Sequence, residues 1–373
     1  MSRRQPLRIY LEAQSDRIES VLAAHKAPGR VTGGTVGPRL IRFFLDPAPH
    51  IRFSSIRSLA DDLALALRVP AIRVGRGSEG VVLEFPNPEP RPVTLFNLLP
   101  DVGSLPEATA LLGLTDEGVP LLARLSSPEV AHILIAGTTG SGKSVLLKTI
   151  ALSLILTHPP ETLRIMCLDP KGRVFKAFKG APHLLRPPIT EVGETLEALH
   201  SLLHAMEIRD RRAESRPHIV LLIDELADLI LQGESHASGN GTAGKEITQS
   251  LTRLTQRGRE AGIHIVAATQ RPSSALLGGL MRANFPLRLV GKVTSSNDAL
   301  VAAGRGGTDA HLLDGRGDFL AVGGGSPIRF QAAFVDEKEI RREVADLQPP
   351  PPRALPRPHY PALVDARAAV GGR

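Results

Sequence analysis

The octapeptide "GTTGSGKS", Gly137 to Ser144, constrains this chain more than any other stretch. It satisfies G-x-x-x-x-G-K-S/T in the one setting that gives the pattern physical meaning. The apolar run "HILIAG" precedes it and reads as a buried strand; "KSVLLKTIALSLIL" follows and reads as a helix. A strand, a glycine-rich loop and a helix in that order wrap backbone N–H groups around phosphates and aim the positive helix end at them. Gly137, Thr138, Thr139, Gly140, Ser141 and Gly142, with Val145 just inside the helix, are therefore expected to cradle a nucleotide. Lys143 is expected to reach the β- and γ-phosphates, and the Ser144 hydroxyl to ligate Mg²⁺.

A second run, "HIVLLIDE" (His218 to Glu225), supplies what such a loop lacks. Asp224 at the tip of a strand can hold Mg²⁺ through water, and Glu225 beside it can polarise an attacking water as general base. The pair points to hydrolysis rather than binding alone. A third run, "GIHIVAAT", ends in Gln270, which at the same sheet edge would face the same crevice and could orient water or touch the γ-phosphate. Arg259 stands at the end of a helical run that starts near Lys245. On residue type it reads equally as a solvated charge or as an arginine offered to a neighbour's nucleotide.

The runs "AHILIAG", "LRIMCLD", "HIVLLIDE", "GIHIVAAT" and "LRLVGKV", separated by helical stretches, predict a parallel sheet covered on both faces across residues 107–347. A polar stretch, Gln232 to Gly244, reads as a surface loop. Residues 35–106 read as a small α+β domain: "VGPRLIRFFL" as a strand, "SSIRSLADDLALAL" as a helix capped by Ser54 or Ser55, and "AIRV" and "GVVLEF" as further strands. Residues 1–34 form a helical segment with its helix over Gln14 to Ala24. Residues 348–373 are a Pro/Arg-rich tail, expected to be disordered.

One cysteine, Cys167, excludes a disulfide framework, and no His/Cys spacing suggests zinc. No apolar run approaches the length of a spanning helix and the start lacks a signal peptide, so the chain is expected to be cytoplasmic, with no membrane segment of its own. The net charge of +7 suits an anionic partner. Aromatic residues make up only 3% of the chain, which disfavours stacked single strands and favours the backbone of a duplex.

Taken in order, "HILIAGTTGSGKSV", "CLDPKG", "APHLL", "IVLLIDELADL", "RLTQRGREAGIHIVAATQRPS", "MRANFPLRL" and "LLDGRGDFL" closely resemble the motor of the FtsK/SpoIIIE family of DNA translocases. "VGPRLIRFFLDPAPHIRFSSIRSLADDLALAL" and "EFPNPEPRPVTL" resemble that family's small α domain. The resemblance implies a RecA-like P-loop motor behind a small α+β domain, forming a homo-hexameric ring that threads double-stranded DNA without regard to sequence and steps on ATP hydrolysis with Mg²⁺. It implies that Lys143 and Ser144 serve the P-loop, Asp224 the metal and Glu225 the base. Gln270 falls on the sensor position and Arg259 on the arginine that reaches the next subunit's nucleotide. Thr269, Arg271 and Arg282 fall where the family meets the DNA backbone, so Gln270 and Arg271 would put nucleotide and DNA contacts side by side. Ser296 and Leu300 stand where the family carries basic residues, which leaves Lys292 as a substitute. The lack of an anchor or a C-terminal DNA-reading module suggests plasmid transfer, a mobile element or DNA donation, with recruitment by a membrane-anchored transfer or division partner. The alternatives are a protein-secretion ATPase of the same type and an ATP-gated DNA-binding scaffold.

Overall fold

In the computed structural model, which describes residues 4–77, 80–235, 242–270 and 283–347, the chain builds two sheets. The smaller unit contains α1 (Arg4–Ala24), β1 (Gly29–Val36), β2 (Leu40–Pro47), α2 (Phe53–Arg57), α3 (Ala60–Leu67), β3 (Arg73–Gly77) and β4 (Gly80–Pro86). Its strands form an antiparallel sheet in the order β1-β2-β4-β3. Period-two alternation sends Ile41, Phe43 and Leu45 of β2 and Val81, Leu83 and Phe85 of β4 into one core, with Ile18 and Leu22 of α1 and Leu63 and Leu67 of α3.

Several expectations change in this unit. The first helix begins at Arg4, not Gln14, and packs on the same core, while the boundary expected after residue 34 falls inside β1. "VGPRLIRFFL" spans a hairpin, not one strand: Gly37 N donates to Leu40 O at 2.8 Å across Pro38, which has no N–H for a ladder. "SSIRSLADDLALAL" makes two helices. Ser54 and Ser55 lie inside α2, whose N-cap is Arg52 without a side-chain bond.

The larger unit follows with α4 (Leu95–Val102), β5 (Thr109–Thr115), β6 (Pro120–Arg124), β7 (Ile133–Ala136), α5 (Lys143–Thr157) and β8 (Leu163–Leu168). It continues with α6 (Val192–Arg212), β9 (His218–Ile223), α7 (Leu226–Ser235), α8 (Thr242–Arg257), β10 (Ile263–Thr269) and β11 (Leu287–Val290). It ends with α9 (Ser296–Ala303), β12 (Asp318–Val322), β13 (Ile328–Ala332) and α10 (Glu337–Asp346). The nine strands run β6-β5-β13-β12-β11-β7-β10-β9-β8. The five apolar runs are the parallel half, β11-β7-β10-β9-β8, and four antiparallel strands extend it. Alternate residues of each parallel strand enter opposite cores. In β7, Ile133 and Ile135 meet Leu146, Leu147 and Ile150 of α5, while Leu134 faces the core under α6, α7 and α8. Burial on both faces is why these strands read as continuous apolar runs.

The two units meet through charge. Arg42 and Glu84, on the face of the small sheet away from its core, bond each other at 2.8 Å; Arg42 also pairs with Asp116. Arg329 of β13, its side chain only 8% exposed, reaches Glu84 at 2.7 Å and holds Asp318 through both carboxylate oxygens at 2.9 and 2.8 Å. Deleting one member of such a buried set strands its partners, at a cost of about 3–5 kcal/mol.

At the N-terminal ends of the parallel strands sit three buried histidines. His218 Nδ1 lies 3.1 Å from His264 Nε2, whose Nδ1 is 3.2 Å from Ala131 O, and Ile265 N donates to His132 Nδ1 at 3.1 Å. Burial holds His264 down to about 3, with His218 and His132 adding to the effect. Burial, reinforced by Arg259, holds His132 down to about 4. Both rings are harder to protonate folded than unfolded, so their contribution to stability is complete above about pH 6.5 and is lost as pH falls toward 4, at roughly 1.4 kcal/mol per pH unit for each ring. Thermal melts from pH 7.5 to 4.5 should therefore show Tm falling below pH 6.5, less steeply for His264→Gln. Equal slopes for the two proteins would remove His264 as a cause of the fall.

Candidate functional site

Strand register brings three chain segments to one edge. Thr269, the last residue of β10, pairs with Ala136, the last of β7, and Ala267 pairs with Ile223, which directly precedes Asp224. The phosphate loop after β7, the acidic pair after β9 and Gln270 after β10 therefore leave the sheet side by side, at the carboxyl ends where open α/β sheets hold ligands.

The loop has the shape its glycines permit. Gly142 has φ +105°, and a Cβ there would stand 2.8 Å from Gly317 N. The loop is braced from the antiparallel half: Arg316 N donates to Gly140 O at 3.0 Å and Gly317 N to Ser141 O at 2.8 Å. Lys143 turns inward, Nζ donating to Gly137 O at 2.7 Å and Thr138 O at 3.0 Å. Burial lowers its pKa against the opposing pull of Glu225 and Asp224.

The Ser144 hydroxyl donates to Asp224 Oδ1 at 3.3 Å. Two adjacent hard oxygen donors suit Mg²⁺, which takes few protein ligands and keeps waters and phosphates for the rest. Burial, then Asp169 nearby, raises the Asp224 carboxyl above its ordinary range. Glu225 is buried and accepts from Thr269 Oγ1 at 2.9 Å and from Gln270 N at 3.1 Å to each oxygen. Burial raises its pKa, and those hydrogen bonds only partly oppose it, which moves the carboxylate toward the strength of a useful base. Gln270 Oε1 accepts from Thr139 Oγ1 at 3.0 Å, tying the phosphate loop to the tip of β10.

Lys143, Ser144, Asp224, Glu225 and Gln270 are thus brought together. Arg259 is not: it sits in the turn beyond α8, which ends at Arg257, at the opposite end of β10. Seven strand residues separate it from the crevice by about 20 Å. Its side chain is 39% exposed and lies 3.5 Å from Glu260. The expectation that Thr269 faces DNA is corrected, because its side chain is fully buried and its hydroxyl is spent on Glu225. Arg271 and Arg282 lie outside the described residues. Lys292 is exposed beside the phosphate loop, its carbonyl accepting from Thr138 N at 2.8 Å and Thr138 Oγ1 at 3.0 Å. The polar stretch Gln232–Gly244 is helix at both ends: α7 runs to Ser235 and α8 starts at Thr242. Residues 236–241 lie outside the described residues.

Two further groups were not singled out from the sequence. Asp169, fully buried at the end of β8, accepts from Val174 N at 2.8 Å and Phe175 N at 3.0 Å. Lys171 pairs with Asp228 at 2.5 Å and sits within electrostatic reach of Glu225 and Asp224. Their signal was the "DPK" that ends "LRIMCLDPK", charges placed where another parallel strand reaches the ligand edge. A cavity of about 700 Å³ opens from Lys143 and Ser144 toward Val145, Arg39 and Phe334.

A model of the FtsK/SpoIIIE family matches residues 105–212 and 204–274, and a model of the FtsK alpha domain matches residues 2–87. DNA translocase FtsK of Sporosarcina ureae is 33% identical over an alignment 368 residues long that covers 90% of this chain and 45% of that protein. DNA translocase SpoIIIE of Bacillus subtilis (strain 168) is 33% identical over 370 residues, with the same coverage. The chain thus spans just under half the length of these relatives. Among solved structures, the monomer form of the pCW3 conjugation coupling protein TcpA with ATPγS superposes with a TM-score of 0.63 at 20% identity, over 90% of this chain and 99% of that one. The cytoplasmic domain of the Type VII secretion ATPase EccC of Thermomonospora curvata superposes with a TM-score of 0.57 at 24% identity, over 69% of this chain and 34% of that one. These superpositions establish the P-loop ATPase fold. No helix among the described residues is long and apolar enough to cross a membrane.

Proposed function

The chain belongs to the FtsK/SpoIIIE family, and from that membership we propose that it is an ATP-hydrolysing motor that moves double-stranded DNA through a ring of six copies of itself. The observation that carries the proposal is Glu225, buried beside Asp224 and fastened to Thr269 and Gln270 at the mouth of the phosphate loop. A carboxylate held there by design is what hydrolysis needs and simple nucleotide binding does not.

In this reading Lys143 exchanges the carbonyls of Gly137 and Thr138 for phosphate oxygens, anionic acceptors that offset the cost of burying its charge. Ser144 and Asp224 would hold Mg²⁺, which would supply neutralisation of phosphate charge. Glu225 takes a proton from the attacking water, while Gln270 reports the γ-phosphate to β10. Arg259, about 20 Å from its own loop, serves the nucleotide of the next copy, which is why one copy alone is incomplete. Arg271, Arg282 and Lys292 supply phosphate contacts to the duplex, which position the DNA without reading its sequence.

The test is ATP turnover with and without duplex DNA at low salt. Turnover is expected to rise severalfold with any duplex of sufficient length, and the stimulation to fade as salt increases. Turnover indifferent to duplex at low salt would overturn the DNA assignment and leave a nucleotide hydrolase.

A further inference from the structure

We propose that Arg209 is a positioning residue for Arg259: it fastens the turn from which Arg259 leaves the chain, and so acts on the nucleotide of the next copy rather than on its own. This rests on the reading of Arg259 as an arginine that serves a neighbour's nucleotide.

An arginine that reaches a phosphate across an interface has to leave from a fixed point, because misplacing a catalytic group by about 1 Å can cost about 10²-fold. The turn that carries Arg259 is "GREAG", Gly258 to Gly262, between α8 and β10. It closes on itself: Gly258 N donates to Leu254 O at 2.8 Å, Gly262 N to Arg259 O at 3.0 Å and Ile263 N to Gly258 O at 2.8 Å. It also lies hard against the connector from α6 to β9. Gly262 has φ +68°, and a Cβ there would stand 1.9 Å from Ser215 O. The Arg259 side chain, by contrast, is 39% exposed, and its ion pair is with Glu260, itself 82% exposed. An open side chain on a closed backbone suits a group offered to something outside its own copy.

Two exposed ion pairs, Arg253–Glu207 at 3.0 Å and Arg257–Asp210 at 2.6 Å, lace α8 to α6, but they stop where the helix ends. Such pairs contribute about 0–1 kcal/mol each. Arg209, in the last turn of α6, reaches the turn itself. Its Nη1 donates to Ala261 O at 2.8 Å and its Nη2 to Pro217 O at 2.9 Å. One planar fork thus ties the turn to the residue before β9, and Ile219 N, donating to Gly262 O at 2.8 Å, closes the same seam. Burial lowers the pKa of this guanidinium, opposed in part by Glu214, and both groups it bonds are carbonyls rather than carboxylates. An apolar side chain would fill the space without that cost, so what the fork adds is geometry. These contacts lie at the starts of β9 and β10, the opposite end of the sheet from the copy's own phosphate loop.

Mixing variants of the full chain tests this. Arg209→Ala is expected to lower ATP turnover by about 10²-fold, and Arg209→Lys, which keeps the charge and the stem but not the fork, by about tenfold or more. ATP affinity, measured by calorimetry, should stay within about twofold of wild type in both, since a factor of two is only about 0.4 kcal/mol. Mixed with Lys143→Ala, which retains the finger but not the loop lysine, either variant should recover part of the lost turnover. Mixed with Arg259→Ala, neither should, because both parents then lack a working finger. A merely structural defect would not sort in this way. Should Arg209→Ala not fold, Arg209→Lys carries the same test. Recovery with Arg259→Ala, recovery with neither partner, or wild-type turnover in Arg209→Lys would overturn the positioning role and leave Arg259 in place. Wild-type turnover in Arg259→Ala would instead overturn the reading of Arg259 itself.

Discussion

Glu225→Gln is expected to lower ATP turnover by roughly 10²–10⁴-fold while ATP remains bound. The substitution keeps the shape of the side chain and an oxygen at the Oε1 position to accept from Thr269 and Gln270, so the crevice should persist. It removes a buried negative charge, and thermal stability should hold or rise. Single-turnover hydrolysis measured beside equilibrium ATP binding checks this, and the variant should also retain duplex DNA while ATP is bound. Turnover within tenfold of wild type would remove Glu225 as the base and shift attention to Asp224 and Asp169, the other carboxylates at this edge.

Arg259→Ala should cost still more, roughly 10³–10⁵-fold in turnover, with ATP binding to the same subunit intact. The proposed role of Arg259 at the next copy's nucleotide predicts a particular rescue. A preparation of Arg259→Ala has sound phosphate loops and no finger; one of Lys143→Ala has the finger and no loop lysine. Mixed, they should recover part of the lost turnover wherever an intact loop meets an intact arginine. A mixed assembly that remains as inactive as its parents would show that Arg259 does not act between copies.

The parallel half of the larger sheet was legible because β7, β8, β9 and β10 are buried almost throughout on both faces, and double burial writes a nearly continuous apolar run. The antiparallel half was not. In β5 the run breaks at Gly113, and β6 and β13 alternate partly exposed residues with buried ones. These segments make sense only once paired with one another. The phosphate loop and acidic pair were legible because their chemistry is local, tied to a strand end by one or two residues. Thr269 misled for a related reason. Its position at a strand tip was right, but whether a hydroxyl points outward or toward a neighbouring carboxylate depends on Glu225, 44 residues away in the chain. Arg39 is remoter still: 276 residues separate it from the Gly315 carbonyl beside its guanidinium. Nothing in "VGPRL" records that closeness.

The bracing of Gly140 and Ser141 by Arg316 and Gly317 sets a limit on how far this protein can be cut down. A fragment stopped after β11 would contain every signature residue of the loop and the acidic pair. It would lack the peptide groups that keep the loop open, and Gln331, which keeps those groups in place through a bond from Nε2 to Arg316 O at 3.1 Å. The minimal piece that keeps these braces on the phosphate loop therefore runs through β13. The strands without a signature are part of the catalytic module, and a dissection guided by motifs alone would discard them.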